Sequence, residues 1–451
     1  MSERVLTTWL DDALAHVEAV PRFTACGRVT RVIGQVVEVS PLPVGVGEVC
    51  RIAPDDHHGI LAQVVGFHER GIMLMPLDET AGIHPGAVVI PLGRTLFANA
   101  SDRLVGRVLD GLGRPIDGKG PLGPTRRCAL SANPPDPLER ARIHEPLGTG
   151  VRAIDGLVTL GKGQRIGIMA GSGVGKSVLM GMIARRTAAD VNVIALLGER
   201  GREVREFIER DLGPEGLRRS VVVVATSDQA AVVRATGALV ATTIAEYFRD
   251  TGRDVMLMMD SVTRVAMAWR EIGLAVGEPP TTKGYPPSVF AALPRLLERA
   301  GTAKQGSITG LYAVLVEGDD FNEPIADAAR SILDGHIVLS RRLANAKHFP
   351  AIDILESVSR VRDQVVSSRQ LDAANDFLKL EAAHHSHEDL IAVGAYKAGA
   401  DPLVDRAIAL RSQTRAFLQQ TAADPSDLDE AFARLQQISR LASVPNERVS
   451  K

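Results

Sequence analysis

The sequence predicts an α/β fold with a mainly parallel sheet, preceded by a β-barrel and followed by a helical domain. From about Gly148, apolar strands alternate with helices, which is typical of a parallel sheet with helices on both faces. A glycine-rich string at 170–177 lies between a predicted strand and a predicted helix. Short β-rich runs come before this region, and strand patterns stop after about Asp363.

Composition restricts the class of protein. The chain has 451 residues, enough for two or three domains, and its 45% hydrophobic and 24% charged residues fit a globular protein. A net charge of −2 gives no indication of a strongly basic surface, so we expect no nucleic-acid partner. Cys26, Cys50 and Cys128 are odd in number and far apart, so we expect neither a disulfide framework nor a zinc site.

The amino terminus predicts a docking element. Apolar residues recur at spacings of three and four through residues 1–20, as in an amphipathic helix. Such a helix packs either on its own protein or on a partner, and its acidic polar face disfavours anionic lipid. The sequence shows no signal-peptide pattern and no apolar run of about 18 residues, so we expect a cytoplasmic protein held at any membrane by a partner.

Residues 21–95 predict the barrel. Short apolar runs such as 61–67 and 72–77 are separated by glycine and proline, which is typical of small barrels and sandwiches. Residues 103–110 predict a further strand followed by a turn, and the three prolines within 131–137 indicate a linker.

Residues 96–365 predict the α/β domain, and residues 366–451 the helical domain. The predicted strands are residues 165–169, 191–197, 220–225, 255–259 and 308–316, and the predicted helices between them are residues 176–186, 204–210 and 230–249. In the last domain, residues 371–382, 402–420 and 425–441 predict helices, with Pro402 and Pro425 near helix starts.

The string Ala170-Gly171-Ser172-Gly173-Val174-Gly175-Lys176-Ser177 fits a phosphate-binding loop. The glycines let the backbone turn its N–H groups around phosphate oxygens, and the following helix adds the positive end of its dipole. Lys176 is expected to reach the β- and γ-phosphates of ATP, and the Ser177 hydroxyl to bind Mg²⁺. The predicted nucleotide-binding residues are Gly171, Ser172, Gly173, Val174, Gly175, Lys176, Ser177 and Val178.

Two acidic residues follow strands near this loop. Asp260 ends the apolar run 255–259, at the sheet edge where doubly wound folds bind ligands, and is predicted to hold Mg²⁺ with its water. Glu199 follows the strand 191–197; it either polarises the attacking water or is simply a favourable acid at a helix start. Spacing does not select the arginine that offsets charge on the γ-phosphate.

Three other features have alternative interpretations. The segment His384-His385-Ser386-His387-Glu388 is interpreted as a solvated helix end rather than a metal site. Asp319 and Asp320 follow a strand and are candidates for the site. Phe349 before Pro350 either stacks on adenine or turns the chain.

Longer strings resemble those of the type III secretion export ATPases, most closely the flagellar branch, and more distantly the catalytic subunit of rotary ATP synthases. The strings are Gly161–Arg165, Ala170–Ser177, Gly198–Val204, Met259–Arg264, Gly277–Pro280, Gly284–Ser288, Val316–Asp320 and Ile332–His336.

The resemblance implies a RecA-type ATPase core and roles for particular residues. Glu199 matches the family's catalytic glutamate, and Arg360 matches an arginine finger donated to a neighbouring subunit. Phe349 falls where an aromatic residue packs on adenine, and residues 277–288 match a loop facing the channel of a ring. Since one chain then supplies both halves of a shared site, the resemblance implies a homohexamer.

The family couples ATP hydrolysis to export of unfolded protein subunits. The resemblance therefore implies a cytoplasmic enzyme peripherally associated with the inner face of the membrane, beneath an export gate. The amino-terminal helix would dock a regulatory stator protein, and the helical domain would meet a stalk protein and chaperone–substrate complexes. The flagellar or virulence nature of the cargo stays open.

Two other classes are alternatives. An RNA-translocating hexameric helicase would need a basic and aromatic platform, yet the barrel region has Phe23 and Phe67 without such a stripe. A non-catalytic subunit of a rotary complex would be expected to lack Glu199 or the complete phosphate loop, and both are present.

Overall fold

The computed structural model describes residues 25–53, 59–69, 71–316 and 323–443. The predicted amino-terminal helix (residues 1–20), Phe23, and the Asp319 and Asp320 pair lie outside these ranges. The chain divides into two compact units, with the boundary between Leu96 and Phe97.

The first unit contains a closed barrel of six antiparallel strands in the order β1-β2-β5-β4-β3-β6. These strands are β1 (Gly27–Ile33), β2 (Val36–Val39), β3 (Glu48–Ala53), β4 (Ile60–His68), β5 (Gly71–Pro76) and β6 (Val88–Thr95). Val37, Ile52 and Leu74 are among the side chains that fill its core. The predicted barrel is thus confirmed, and closure leaves the sheet without edges.

The second unit is built on a nine-stranded sheet with the order β19-β18-β12-β17-β15-β13-β14-β8, in which β16 pairs with β17. Two smaller pairs, β7-β9 and β10-β11, accompany it. The strands of this unit are β7 (Phe97–Ala100), β8 (Val108–Asp110), β9 (Arg126–Ala129), β10 (Pro146–Leu147), β11 (Leu160–Gly161), β12 (Arg165–Ala170), β13 (Val191–Leu197), β14 (Ser220–Ala225), β15 (Asp254–Asp260), β16 (Gly301–Thr302), β17 (Ser307–Leu315), β18 (Gly335–Leu339) and β19 (Ile352–Ser359).

Within the large sheet, pairing is parallel except for β16 and β19. The central strands are buried along nearly their whole length, as expected when both faces are covered. The predicted α/β fold with a mainly parallel sheet is therefore confirmed.

The described helices all belong to the second unit. They are α1 (Arg152–Leu157), α2 (Lys176–Arg186), α3 (Gly201–Glu206), α4 (Gly213–Leu217), α5 (Ala231–Asp250), α6 (Val262–Ala275), α7 (Pro287–Leu297), α8 (Pro324–Ile332), α9 (Arg341–Asn345), α10 (Arg362–Val365), α11 (Ser368–Ser386), α12 (Glu388–Ala392), α13 (Pro402–Ala409), α14 (Arg411–Leu418) and α15 (Leu428–Ser443). A π-helical segment, Phe207–Leu212, joins α3 to α4. Among the described helices, none is both long enough and apolar enough to cross a bilayer.

Local sequence sets several helix starts. Ser367 and Gln370 form a capping box before α11. The Asp401 carboxylate accepts from the N–H of Leu403 at 2.8 Å, and Pro402 occupies the first turn of α13. Such residues satisfy backbone donors that a helix leaves free at its amino end.

The helices after α10 share a core with the sheet. Phe377 of α11 and Phe417 of α14 lie with ring centroids 5.2 Å apart, and both belong to the large apolar cluster that includes Ile166 and Ile168 of β12. The Gln420 side chain accepts from the N–H of Arg152 at 2.9 Å and donates to the carbonyl of Gly150 at 2.9 Å. This region is helical, as predicted, and it packs closely on the α/β core.

Three predicted elements differ from the structure. The single helix expected over 402–420 is two helices, α13 and α14, which meet at Leu410. Residues 103–110 do not form one strand: a 3-10 turn covers Asp102–Leu104, Gly106 has φ of +86°, and only Val108–Asp110 is a strand. The reason is tertiary, because β8 extends as an edge strand only where it can pair with β14. The last helix begins at Leu428, three residues after Pro425.

Candidate nucleotide site

The phosphate-binding loop connects β12 to α2. Strand β12 ends at Ala170, and α2 begins at Lys176. Gly173 and Gly175 have φ of +76° and +93°, which side-chain-bearing residues rarely adopt. These turns set the amino end of an 11-residue helix directly after the loop, as phosphate binding requires.

Lys176 meets both acidic residues that the sequence singled out. Its ammonium group forms a close ion pair with Asp260 Oδ1, and it lies 3.8 Å from Glu199 Oε1. The three side chains are 12%, 6% and 17% exposed, respectively. One cation therefore faces two carboxylates in a partly dehydrated site, where electrostatic interactions are stronger than in water.

Parallel strands place these acids together. Strands β13 and β15 pair in register, with Leu196 opposite Asp260, so Glu199 lies just beyond the same edge. Gly198 makes the turn between the end of β13 and Glu199, with φ of +76°. A Cβ on Gly198 would come within 2.8 Å of the Arg264 side chain. Residues far apart in the sequence are thus brought together at one edge of the sheet.

Glu199 has a shifted acidity. Burial, reinforced by the negative charge of Asp260, raises the pKa of the Glu199 carboxyl to about 7, while the positive charge of Lys176 opposes the rise. A hydrogen bond shared with Glu203 also raises this pKa. A carboxyl that titrates near neutral pH is suited to accepting a proton from water.

An open cavity of about 320 Å³ lies in front of these groups. It is lined by Ser177, Leu196, Glu199, Glu203, Val204, Phe207 and Asp260. Its hydroxyl and carboxylate oxygens are the donors that Mg²⁺ prefers. In the described ranges, no group of three or more His, Cys, Asp and Glu side chains is arranged to hold a metal by itself. The Ser177 hydroxyl and the Asp260 carboxylate are oxygen donors that fit an ion which also takes ligands from phosphate and water.

Phe349 lies beside the loop. A Cβ built on Gly175 would be 3.6 Å from the Phe349 ring, and the residue is 43% exposed. The Phe349–Pro350 peptide bond is cis, and the Phe349 carbonyl accepts from the N–H of Gln420 at 3.0 Å. The sequence left stacking and turning as alternatives; this position offers an exposed aromatic face next to the phosphate loop and also a turn.

Comparison with known proteins gives three matches to family models. Residues 150–359 match the nucleotide-binding domain of the ATP synthase alpha/beta family, and residues 29–93 match the beta-barrel domain of that family. Residues 366–437 match the T3SS EscN ATPase C-terminal domain.

Individual relatives agree with these models. The chain is 55% identical to a flagellum-specific ATP synthase of Bacillus subtilis over 93% of this chain and 96% of that one. It is 50% identical to a type 3 secretion system ATPase of Xanthomonas euvesicatoria over 95% and 96% of the two chains. The solved structure of the assembled ATPase EscN of enteropathogenic E. coli superposes with a TM-score of 0.86 at 46% identity, covering 92% of this chain and all of the other.

The chain belongs to the type III export ATPase family. The resemblance read from the sequence is thereby confirmed, and the protein is an ATP-hydrolysing enzyme. The family contains both flagellum-specific and type 3 secretion members, and the relatives of this export ATPase include both kinds.

Arg360 of this export ATPase lies away from its own phosphate loop. Its N–H donates to the carbonyl of Asp334 at 2.9 Å, and the N–H of Asp334 donates to the carbonyl of Arg165, at the start of β12. The loop follows the other end of this strand, five residues on, which is about 17 Å at the usual rise per residue. The Arg360 side chain is exposed, so it faces outward and does not join Lys176.

Sequence reasoning missed Arg264. It lies four residues after Asp260, on the first turn of α6, and its positive charge lowers the pKa of Glu199. Its Nε is buried with no hydrogen-bond partner among the residues that the structure describes. Its position one helical turn after an acid that ends a strand was the available signal, but many arginines in this chain follow acids.

The histidine segment forms no metal site in the described part of the chain. His385 Nδ1 lies 3.4 Å from Glu388, and the hydroxyl of Ser386 contacts His387 Nδ1 at 3.0 Å. These contacts are local pairs at the end of α11.

Proposed function

We propose that this export ATPase hydrolyses Mg·ATP at a site shared by two neighbouring copies in a homohexameric ring. The observation that supports it is the placement of Lys176, Glu199 and Asp260 at one end of the sheet and of Arg360 at the other. One end of the sheet carries the phosphate-binding residues, which we call the cradle, together with the base Glu199. The other end presents the exposed cation of Arg360 to a neighbouring subunit.

Each residue of the cradle has a role in this proposal. The phosphate oxygens of ATP replace Asp260 as the partner of Lys176, because a triphosphate carries more negative charge than one carboxylate. Ser177 and Asp260 then hold Mg²⁺, which would neutralise phosphate charge when bound. Glu199 accepts a proton from the attacking water, and Phe349 packs on the adenine ring.

Arg360 acts in trans in this proposal. A finger must reach the γ-phosphate, and within its own chain Arg360 is a strand length away from Lys176. A ring of identical copies places the exposed arginine of one subunit at the loop of the next. The solved relatives support assembly, because they include the structure of assembled EscN and that of assembled EscN in complex with its central stalk EscO.

We propose flagellar subunits as the cargo. Two flagellum-specific relatives are 55% and 51% identical to this chain, against 50% for a type 3 secretion ATPase. The enzyme would release and unfold chaperone-bound substrates at the membrane export gate. It would do so from the cytoplasm, peripherally associated with the inner face of the membrane. Residues 1–20 would dock a stator protein, residues 21–95 form the barrel domain, residues 96–365 hydrolyse ATP, and residues 366–451 meet the stalk and the chaperone–substrate complexes.

The chemistry is tested with three variants. Glu199→Gln and Arg360→Ala should each lower kcat for ATP hydrolysis by at least about 100-fold, since each removes a group acting on the transferred phosphoryl group. Binding of a fluorescent ATP analogue should change less than about threefold. Arg205→Ala is the matched control, because Arg205 is also exposed and forms a surface ion pair with Glu209.

Normal turnover by Arg360→Ala would remove that residue from the mechanism, and normal turnover by Glu199→Gln would remove the base. Adding RNA should leave the rate unchanged; stimulation by RNA would instead favour the helicase alternative.

Deleting the gene in its host should abolish filament assembly while leaving effector secretion intact. The reverse pattern would assign the protein to a virulence-type injectisome.

A further inference from the structure

A partly buried polar cluster lies at the amino end of β12, at the opposite end of the strand from the phosphate loop. It consists of Gln164, Arg165, Asp334 and Ser359, and we refer to it as the Gln164 cluster. Gln164 is fully buried although its carboxamide is polar. Buried polar groups of this kind are retained with their hydrogen bonds satisfied, so each bond indicates what the side chain holds.

The Gln164 carboxamide bonds to the two residues that flank the backbone of Arg360: Asp334, which accepts the Arg360 N–H, and Ser359, which directly precedes it. Its Nε2 donates to the carbonyl of Asp334 at 3.0 Å and to the hydroxyl of Ser359 at 3.1 Å. Its Oε1 accepts from the N–H of Gly161 at 3.0 Å. Both N–H bonds of the amide are therefore directed at the segments that carry Arg360, and its oxygen is fixed to β11.

The same carbonyl of Asp334 also anchors Arg360. It accepts from the N–H of Arg360 at 2.9 Å as well as from Gln164. Ser359, the neighbour of Arg360, in turn donates from its hydroxyl to the carbonyl of Thr159 at 3.0 Å. The backbone of Arg360 is thus fixed on both sides by groups that contact Gln164.

The turn before β18 is held by charge as well. The Asp334 carboxylate accepts from the N–H of Arg165 at 3.1 Å and from its Nε at 3.2 Å. Gly335 approaches β19 so closely that a Cβ would lie 2.2 Å from the carbonyl of Val358. The start of β18 and the end of β19 are therefore fixed beneath the exposed side chain of Arg360, whose Nη2 donates to the carbonyl of Arg330 at 3.4 Å.

We propose that Gln164 is a positioning residue for Arg360, holding the arginine at the angle at which it enters the neighbouring subunit's site. This inference rests on the proposed role of Arg360 in trans. Gln164 then serves catalysis in the next subunit, although Gln164 lies six residues before the phosphate loop of its own subunit. If Gln164 only stabilised the fold, or acted through β12 on the phosphate loop of its own subunit, an intact Arg360 from another subunit would not restore hydrolysis at a Gln164→Met site.

Gln164→Met is the test variant, because methionine has nearly the same length and lacks the three hydrogen bonds. We expect kcat of the homogeneous enzyme to fall at least about tenfold, with affinity for a fluorescent ATP analogue changed less than about threefold. Asn192→Leu is the matched control: Asn192 is equally buried, at the amino end of β13, and bonds to Ala184 and Ser220 instead. It should keep its kcat within about threefold, and its Tm is measured beside that of Gln164→Met.

Mixed assemblies separate the two sites. Gln164→Met subunits are mixed with Lys176→Ala subunits, whose phosphate loop is inactive but whose Arg360 is intact. Where a Lys176→Ala subunit donates Arg360 to the nucleotide site of a Gln164→Met subunit, hydrolysis should return. The rate of the mixture should be at least about five times the sum of the rates of the two variants assembled alone. Arg360→Ala mixed with Lys176→Ala is the reference and should recover to about the same absolute rate of hydrolysis.

Recovery in the reference mixture without recovery in the Gln164→Met mixture overturns the positioning role and leaves the trans arginine intact. No recovery in either mixture overturns the trans arginine of the proposed function, and the positioning role with it. If Gln164→Met does not fold, Ser359→Ala removes one of the two acceptors at the surface of the cluster and is carried through the same mixtures, with the same outcomes deciding.

Discussion

The pH dependence of hydrolysis follows from the environment of Glu199. Its pKa is raised to about 7, with burial as the main cause and Asp260 as the second. The group must be ionised to accept a proton, so activity should rise with pH through this value. For a single group of this pKa, the ionised fraction is about 9% at pH 6 and about 91% at pH 8, a tenfold difference.

The quantity to measure is kcat/KM for ATP at saturating Mg²⁺ from pH 5.5 to 8.5, since it reports the free enzyme. It should fall about tenfold per pH unit well below 7 and level off above it. Glu203→Ala gives a matched perturbation: removing the hydrogen bond that raises the pKa of Glu199 should move the midpoint to lower pH. Tm measured across the same range shows that folding is not the cause.

A profile that stays flat between pH 6 and 8 would refute the reasoning, because Glu199 would then titrate as an ordinary glutamate or would not be the base. A midpoint near 7 that Glu203→Ala does not move would assign the titration to another group.

Other predictions concern binding and stability. Phe349→Ala should raise KM for ATP with kcat unchanged, since base stacking is worth about 1–3 kcal/mol, or roughly 5–150-fold; a kcat effect alone would contradict this. Gly181→Ala should lower the free energy of unfolding by about 1–3 kcal/mol in urea titration, because its Cβ would lie 2.4 Å from the backbone oxygen of Asp211; unchanged stability would show that α2 shifts freely. Arg299→Leu should cost about 3–5 kcal/mol by leaving the buried Glu246 unpaired, and adding Glu246→Leu should recover part of it; an additive loss in the double variant would contradict this.

The phosphate loop shows how far local sequence reaches. Its glycines, its lysine and the strand before it are adjacent in the chain, so the pattern of 170–177 predicted both the element and its position. Asp260 was predictable for the same reason, as an acid ending an apolar run. The buried central strands were also readable, because burial on both faces leaves an uninterrupted apolar run.

Glu199 and Arg264 illustrate the limit. From spacing alone Glu199 was as consistent with a helix start as with a base, and Arg264 was one arginine among many. Strand pairing brings both residues to one end of the sheet, because it places Glu199 3.8 Å from Lys176 and Arg264 against Gly198. The strand expected over 103–110 was wrong for a related reason, since an edge strand extends only as far as its partner allows.

The sequence by itself determined the order of elements, the α/β core and the cradle for a triphosphate, because these depend on neighbours in the chain and on apolar periodicity. Only the tertiary structure decided which end of the sheet each charged side chain occupies. Lys176 and Arg360 could not be assigned to opposite ends from sequence spacing, because this depends on the direction of β12 and on hydrogen bonds between residues almost two hundred positions apart. The raised pKa of Glu199 is likewise a tertiary property, since burial and the charge of Asp260 exist only once β13 and β15 are paired.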